Sequence, residues 1–412
     1  MEPVDVSLPE GTAQGFCDPR FRLVAEEFVR NFNERREVGA AVYLTYEGET
    51  VVDLWGGLAR PADNVPWERD TVCTVFSCTK GATAICAHIL ASRGLLDIEA
   101  PVAGYWPEFA QGAKADVTVR MMLDHSAGVP AFRESLRPEG AYDWDYMVSR
   151  LEAEEPWWKP GTRHGYHMFT FGWTVGELVR RVSHKALGAF LQDEVARPLG
   201  LDFWIGAPES LEERIAPVIA FTREHGDPLG EFELAIVSDR ASLQARAWLN
   251  NGGFDPNGRA SHAAEIGAGG GISNARGLAG IYAPLACGGS LGEVTLVDPE
   301  TLTRMGQVSV AGNADATLLL PTRFALGFMK SMDNRRRAHG SRDSAILSAA
   351  AFGHVGAGGS IGFADPQEAL SFGYAMNRMG PGILLNERGQ ALVDAAYRSL
   401  GYTTNAGGAW TR

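Results

Sequence analysis

A serine followed three residues later by a lysine, Ser77-Cys78-Thr79-Lys80, lies inside the apolar-flanked run Thr74 to Ile85. Residues three apart share one face of a helix, so a helix beginning at Ser77 brings the hydroxyl and the ammonium within a few ångström of each other. There the lysine can lower the proton affinity of the hydroxyl or accept its proton. The 37 basic residues include only five lysines (Lys80, Lys114, Lys159, Lys185 and Lys330), and no other lysine has serine at minus three. The same tetrapeptide also suits a plain helix start, with Ser77 as a cap and Lys80 in water. The surroundings decide between the two.

At 412 residues and 45% hydrophobic content, the chain can bury one large core or two ordinary ones. Its 50 acidic against 37 basic residues give a formal charge of −13, which argues against nucleic acid or an anionic membrane as partner and leaves small neutral or cationic ligands. The start, Met1-Glu2-Pro3-Val4-Asp5, lacks the basic patch and apolar stretch of a secretory signal, and no run approaches the ~20 apolar residues of a membrane span. A cytoplasmic address is expected. Cys17, Cys73, Cys78, Cys86 and Cys287 show no CxxC spacing, and the histidines form no HxH or HxxxH pair. Neither a disulfide framework, a metal nor another cofactor is indicated.

A helix is expected from Pro19 to Glu34, with Phe21, Val24, Phe28 and Phe32 on one stripe, followed by strands at Ala40–Tyr46 and Thr50–Trp55 joined through Glu47-Gly48-Glu49. From Ser77 to Leu201 the pattern is helical, over Ser77–Arg93, Tyr142–Ala153, Phe171–Val182 and Ala186–Ala196. After Gly267 it becomes glycine-dense and strand-like, with Phe324–Phe328 and Leu370–Met376 as the clearest strands and an amphipathic helix from Glu387 to Leu400. The fold class expected is α+β. Segments 1–76 and 268–412 form an antiparallel sheet covered by terminal helices, 77–267 forms a helix-rich second lobe carrying Ser77, and the seam is the cleft. Pro208 to Asp255 shows no periodicity and reads as long loops or an extra hairpin.

Further runs accompany the Ser-Lys pair. Trp157-Trp158-Lys159-Pro160-Gly161-Thr162-Arg163-His164-Gly165-Tyr166-His167 places a tyrosine six residues after Pro160 of a Pro-Gly turn, and Phe352-Gly353-His354-Val355-Gly356-Ala357-Gly358-Gly359-Ser360 is glycine-rich with a histidine. Met122 to Pro130 and Gly269 to Ala279 add supporting runs. In this order they resemble the serine β-lactamase and penicillin-binding-protein superfamily, and within it the class C-like carboxylesterases called family VIII, from about Val38 to Met379. The resemblance implies a β-lactamase-like fold with Ser77 as acylated nucleophile, Lys80 as its activating partner and Tyr166 as proton shuttle. It also implies an oxyanion hole from the N–H groups of Ser77 and Ala357, with His354-Val355-Gly356 where the family usually has Lys-Thr-Gly.

Two positions depart from the family. Met168 stands where the second motif has asparagine, removing the amide that would hold an acylamino side chain, and His354 replaces a lysine whose charge grips a carboxylate. Both favour uncharged esters over lactams or D-Ala-D-Ala peptides. His354, Gly356, Met168 and Trp158 are the expected substrate-facing residues, although Trp157 and Trp158 suit a core equally well. Ser360 and Ser290 each sit in a G-x-S-x-G run, but no histidine follows Ser360, and the tail after Ser290, with His339 and His354, is too short and strand-like for an α/β-hydrolase core. The reading is a cytoplasmic serine carboxylesterase acting on small-molecule esters, with no nucleic-acid or membrane partner. The alternatives are a β-lactamase or D-amino-acid peptidase, an acyltransferase, and a non-catalytic ligand-binding module of the same fold.

Overall fold

The computed structural model describes residues 1–224, 226, 229–337 and 343–412. Two antiparallel hairpins open the chain: β1 (Glu2–Ser7) with β2 (Thr12–Cys17), and β3 (Gly39–Tyr46) with β4 (Glu49–Arg60). The second turns at Glu47 and Gly48, whose φ of 53° and 83° are those a two-residue hairpin needs. Between the hairpins lies α1 (Arg22–Glu34), entered through a short turn capped by Asp18, whose side chain accepts the Arg20 N–H at 2.9 Å. Its stripe of Phe21, Val24, Phe28 and Phe32 is buried as the spacing requires.

The helical middle begins with α2 (Cys78–Ser92), followed by α3 (Trp144–Ala153) and α4 (Thr170–Ser183). Every residue of α2 from Cys78 to Leu90 is buried, so this helix runs through the centre of the molecule. Its few polar side chains find partners inside the protein: Lys80 on Met168 O at 2.7 Å, Thr83 on Gly267 O at 2.7 Å and His88 on Leu326 O at 2.8 Å. Among the described residues of 208–255 there is no hairpin. They hold α5 (Glu231–Ser238) and α6 (Leu243–Leu249), each started by a local cap: the Gly230 N–H donates to Glu233 at 2.8 Å, and the Ala245 N–H donates to Ser242 Oγ at 3.1 Å.

The chain returns through α7 (Ala275–Ala286) to β5 (Phe352–Val355), β6 (Ile361–Asp365) and β7 (Leu370–Met376), and ends with α8 (Glu387–Ser399). The principal sheet has the order β1-β2-β4-β3-β7-β6-β5, all neighbours antiparallel, so the last strands to be made pair with β3 near the start. The strand expected at 324–328 ends at Phe324: Gly327, at φ 89°, turns the chain back so that Ala325 N–H donates to Phe328 O at 2.8 Å. Alternating large and small residues signalled a strand there, and the glycine's freedom overrode it.

Packing divides along the sheet. One apolar cluster joins α1, α8 and one sheet face. The other runs from α2 and α4 through α7 onto the opposite face without a break at residue 77 or 267. Among the described residues no helix is long and apolar enough to cross a membrane.

Candidate active site

Ser77 occupies the residue before α2, partly exposed at a cleft, while the helix behind it is buried. Phe76 reaches this corner with φ 44°, in the left-handed region that aromatic residues seldom adopt. Such strain costs on the order of 1 kcal/mol or more and persists only where neighbours enforce it. Here Thr79 Oγ1 donates to Phe76 O at 2.5 Å, Val75 N–H donates to Gly271 O at 2.9 Å, and Gly271 N–H donates to Thr79 Oγ1 at 2.9 Å. The glycine run at 269–271 is therefore a brace for the nucleophile's turn.

Lys80 is fully buried, and its Nζ has three neighbours: Ser77 Oγ at 3.1 Å, Met168 O at 2.7 Å and Ala268 O at 2.8 Å. The two carbonyls can only accept, so they claim two N–H groups. The third direction points at the serine. Burial pushes the Lys80 ammonium well below its ordinary pKa, with no carboxylate beside it to hold the charge. Once deprotonated, an amine in this place would turn its lone pair to the Ser77 hydroxyl, the arrangement a general base and a nucleophile need.

Tyr166 is set by its backbone. The N–H groups of three successive residues are taken by buried acceptors: Gly165 by His125 O at 3.1 Å, Tyr166 by Asp315 Oδ1 at 2.9 Å, and His167 by His125 Nδ1 at 3.2 Å. Asp315 also accepts from the N–H groups of Thr317 and Leu318, both at 2.8 Å, and burial raises its pKa. The same segment thus presents the Tyr166 ring and the Met168 carbonyl, and the ring lies 4.7 Å from Lys80 Nζ. Burial holds the phenol far above its usual range, with its interaction with the Ser77 side chain pulling the other way. It remains a protonated donor.

The structure places His354 behind Tyr166 rather than on the cleft wall. It is buried on β5, with Nδ1 2.7 Å from Val355 O, so Nδ1 carries the hydrogen and Nε2 turns a lone pair to Tyr166 Oη at 3.5 Å. Burial pushes its pKa down to about 3. The expectation that His354 faces the substrate is corrected: it is a neutral acceptor facing the phenol.

Gly356 is a spacer. A Cβ there would stand 2.4 Å from Val75 O, so only glycine lets the end of β5 close on the Ser77 turn. The next residue, Ala357, lines the same cleft as Ser77, and among the described residues neither N–H donates to any group of the chain. Two free backbone donors beside a nucleophile suit a developing oxyanion. The cleft holds a cavity of about 230 Å³, walled by Met168, Phe232, Ile236, Leu318 and Ile383 among others, with Glu233 as its only charged lining residue among those described.

Trp158 does not reach it. Its indole donates to Ser126 O at 3.3 Å, and that of Trp157 to Ala131 O at 2.9 Å, on the outer side of the loop; the expected acyl wall comes instead from α5 and α6. Ser360 is fully buried, Ser290 Oγ pairs with Thr295 Oγ1 at 2.9 Å on an exposed hairpin, and His339 lies outside the described residues. Sequence reasoning missed Asp315 and the cap residues Phe232 and Ile236. Asp315, one acidic residue just before Ala316-Thr317-Leu318-Leu319-Leu320, was the available signal. Among the described residues no group of three His, Cys, Asp or Glu side chains is placed to hold a metal ion.

The beta-lactamase family model matches residues 25–396. The esterase/beta-lactamase LipL of Mycobacterium tuberculosis is 35% identical over 369 residues, covering 89% of this chain and 83% of LipL. A family VIII carboxylesterase of known crystal structure is 37% identical, with a TM-score of 0.83 over 94% of this chain and 99% of that one. A penicillin-binding-protein homologue from Caulobacter crescentus is 34% identical, with a TM-score of 0.82 over the same shares of the two chains.

Proposed function

The chain belongs to the β-lactamase family and is a serine ester hydrolase, and from that premise we propose that Ser77, Lys80 and Tyr166 are its catalytic residues and that short, uncharged carboxylic esters are its substrates. One observation carries the reading: a buried lysine, two of its hydrogens held by carbonyls, stands 3.1 Å from the Ser77 hydroxyl. Lys80 takes the proton of Ser77 as Oγ attacks the ester carbonyl. The negative charge moves to the carbonyl oxygen between the N–H groups of Ser77 and Ala357, at the start of α2, where the helix dipole adds to them. The C–O bond of the ester then breaks, and the alcohol leaves with a proton supplied by Lys80 and Tyr166. Water, losing its proton to the same pair, attacks the acyl-enzyme; the acid departs and Ser77 recovers its hydrogen.

The cavity supports an uncharged substrate. Among the described lining residues no lysine or arginine is placed to grip a carboxylate: the one charged group, Glu233, is already paired with Arg223, and His354 is neutral and turned away. The cavity's volume, roughly 230 Å³, is in keeping with a short acyl chain. The five unpaired thiols accord with a cytoplasmic setting.

Incubation with a fluorophosphonate, followed by peptide mapping, tests the assignment. The label is expected on Ser77 alone, and Ser77→Ala should abolish it with roughly three or more decades of kcat. Label on Ser290 or Ser360, or none at all, refutes the reading.

A further inference from the structure

Six of the twelve large apolar side chains that stand exposed among the described residues fall in one short stretch: Phe221, Leu229, Leu234, Val237, Trp248 and Leu249. That stretch covers the cleft. Phe232 and Ile236, one turn apart on the inner face of α5, are buried and wall the cavity beside Ser77. Leu234 and Val237, on the other face, are 52% and 56% exposed. A surface helix ordinarily turns a polar face to water. This one is apolar on both sides, and Phe221 and Trp248 link the two, since each lines the cavity and is also exposed. Apolar side chains therefore continue from the outer surface to the nucleophile.

The charges narrow what can cover this patch. Helix α5 has no lysine or arginine of its own, and its two glutamates are paired, Glu231 with Arg337 at 2.6 Å and Glu233 with Arg223; with Asp239, Arg240 and Arg246 the 229–249 cap is nearly neutral, on a chain that carries −13 overall. A nearly neutral apolar patch with no excess of cations offers an anionic bilayer no electrostatic attraction, and it matches an uncharged apolar surface that continues into the cavity. Resting on the esterase reading above, we propose that the 229–249 cap docks on the apolar surface of its own substrate, an uncharged ester dispersed beyond its solubility limit, and passes it over Phe221 and Trp248 to Ser77. The substrate class is thereby widened from dissolved short esters to water-insoluble ones whose acyl chains still fit the cavity. Leu234 and Val237 take part in docking and have no share in the cavity.

The test measures initial rates on glycerol tributyrate from below to above its solubility limit, for the wild type and for Leu234→Gln/Val237→Gln. The wild-type rate should climb steeply once droplets form. The double variant should need at least about tenfold more dispersed ester for the same rate, from two aliphatic side chains no longer leaving water. Its kcat/KM on dissolved aryl acetate and its melting temperature should stay unchanged, and each single variant should show part of the loss, which separates docking from misfolding. No break in the wild-type curve overturns the proposal, as do an equal break in the variant or equal losses on both substrates. A wild type that sediments as a dimer while the variant is monomeric shows that a second copy covers the patch, which also overturns it. A wild type inert toward the aryl acetate refutes the esterase reading itself and takes the proposal with it.

Discussion

Gly356→Ala is the sharpest test of the oxyanion hole, because its effect can be worked out from contacts. The new Cβ would lie 2.4 Å from Val75 O and 3.4 Å from Cys78 Sγ. The neighbour in the way is a carbonyl in the braced turn before Ser77, with little freedom to yield. Real Cβ contacts are seldom closer than 3.0 Å and are ordinary from 3.4 Å, so the end of β5 must withdraw by about 0.6 to 1 Å (3.0 − 2.4 and 3.4 − 2.4). Ala357, the next residue, moves with it. A donor displaced that far no longer meets an oxyanion at hydrogen-bonding distance, and loss of one such donor costs about 10²–10³ in kcat, or ~3–4 kcal/mol. Steady-state hydrolysis of an aryl butyrate should therefore show kcat down by about that factor with KM changed only a few-fold, since the donor acts chiefly in the transition state. Circular dichroism melting shows whether the rates refer to folded protein. A folded variant with kcat within about threefold of wild type would falsify the assignment of the Ala357 N–H.

The remaining expectations concern the proton-transfer pair, acid stability and substrate choice. Lys80→Ala and Tyr166→Phe should each remove most turnover without additive losses in the double mutant, whereas additive losses would mean that the two groups act separately. Lys80→Arg should fail nearly as badly, because a guanidinium stays protonated. Burial lowers the pKa of His88 to about 4, of His167 and His354 to about 3, and of His125 well below its ordinary value. These four bind protons more readily unfolded, so stability is full above the unfolded value near 6.5 and falls as pH drops toward 3–4. At pH 5.5 they together cost roughly 5 kcal/mol, comparable with the whole stability of a typical domain, and denaturant midpoints that do not fall between pH 7 and 5.5 would contradict this. An aryl butyrate should be turned over with a much higher kcat/KM than a chromogenic cephalosporin, and equal handling would favour the lactamase alternative.

Local rules carried the sequence reading furthest where chemistry and geometry are both local. Ser77 and Lys80 are linked by helix spacing alone, and the stripe of Phe21, Val24, Phe28 and Phe32 indicated a buried face because one partner surface decides it. Tyr166 and Ala357 were legible only through resemblance, since what brings them to Ser77 is the clasp of Asp315 and His125 and the bare Cα of Gly356. The cap was opaque for a physical reason. Phe232, Leu234, Ile236 and Val237 place apolar side chains on both faces of a helix of eight residues, so no single stripe emerges. Trp158 and His354 show the opposite failure: residue types suited to a pocket, turned instead to a backbone carbonyl and to a phenol.

The place of β7 in the sheet bears on how the molecule is made. Leu370–Met376 lies between β3 and β6, pairing Ala41 with Ala375, so the row of backbone groups along β3 waits for a strand encoded more than 300 residues later. At about 5–20 residues per second, a ribosome leaves that edge unpaired for roughly 15–60 s. A naked strand edge invites other chains. During synthesis the first 60 residues are thus an adhesive fragment, and a message cut anywhere before the codons for β7 yields neither a closed sheet nor the clasp of α8 on α1, even though Ser77, Lys80 and Tyr166 have long since been translated.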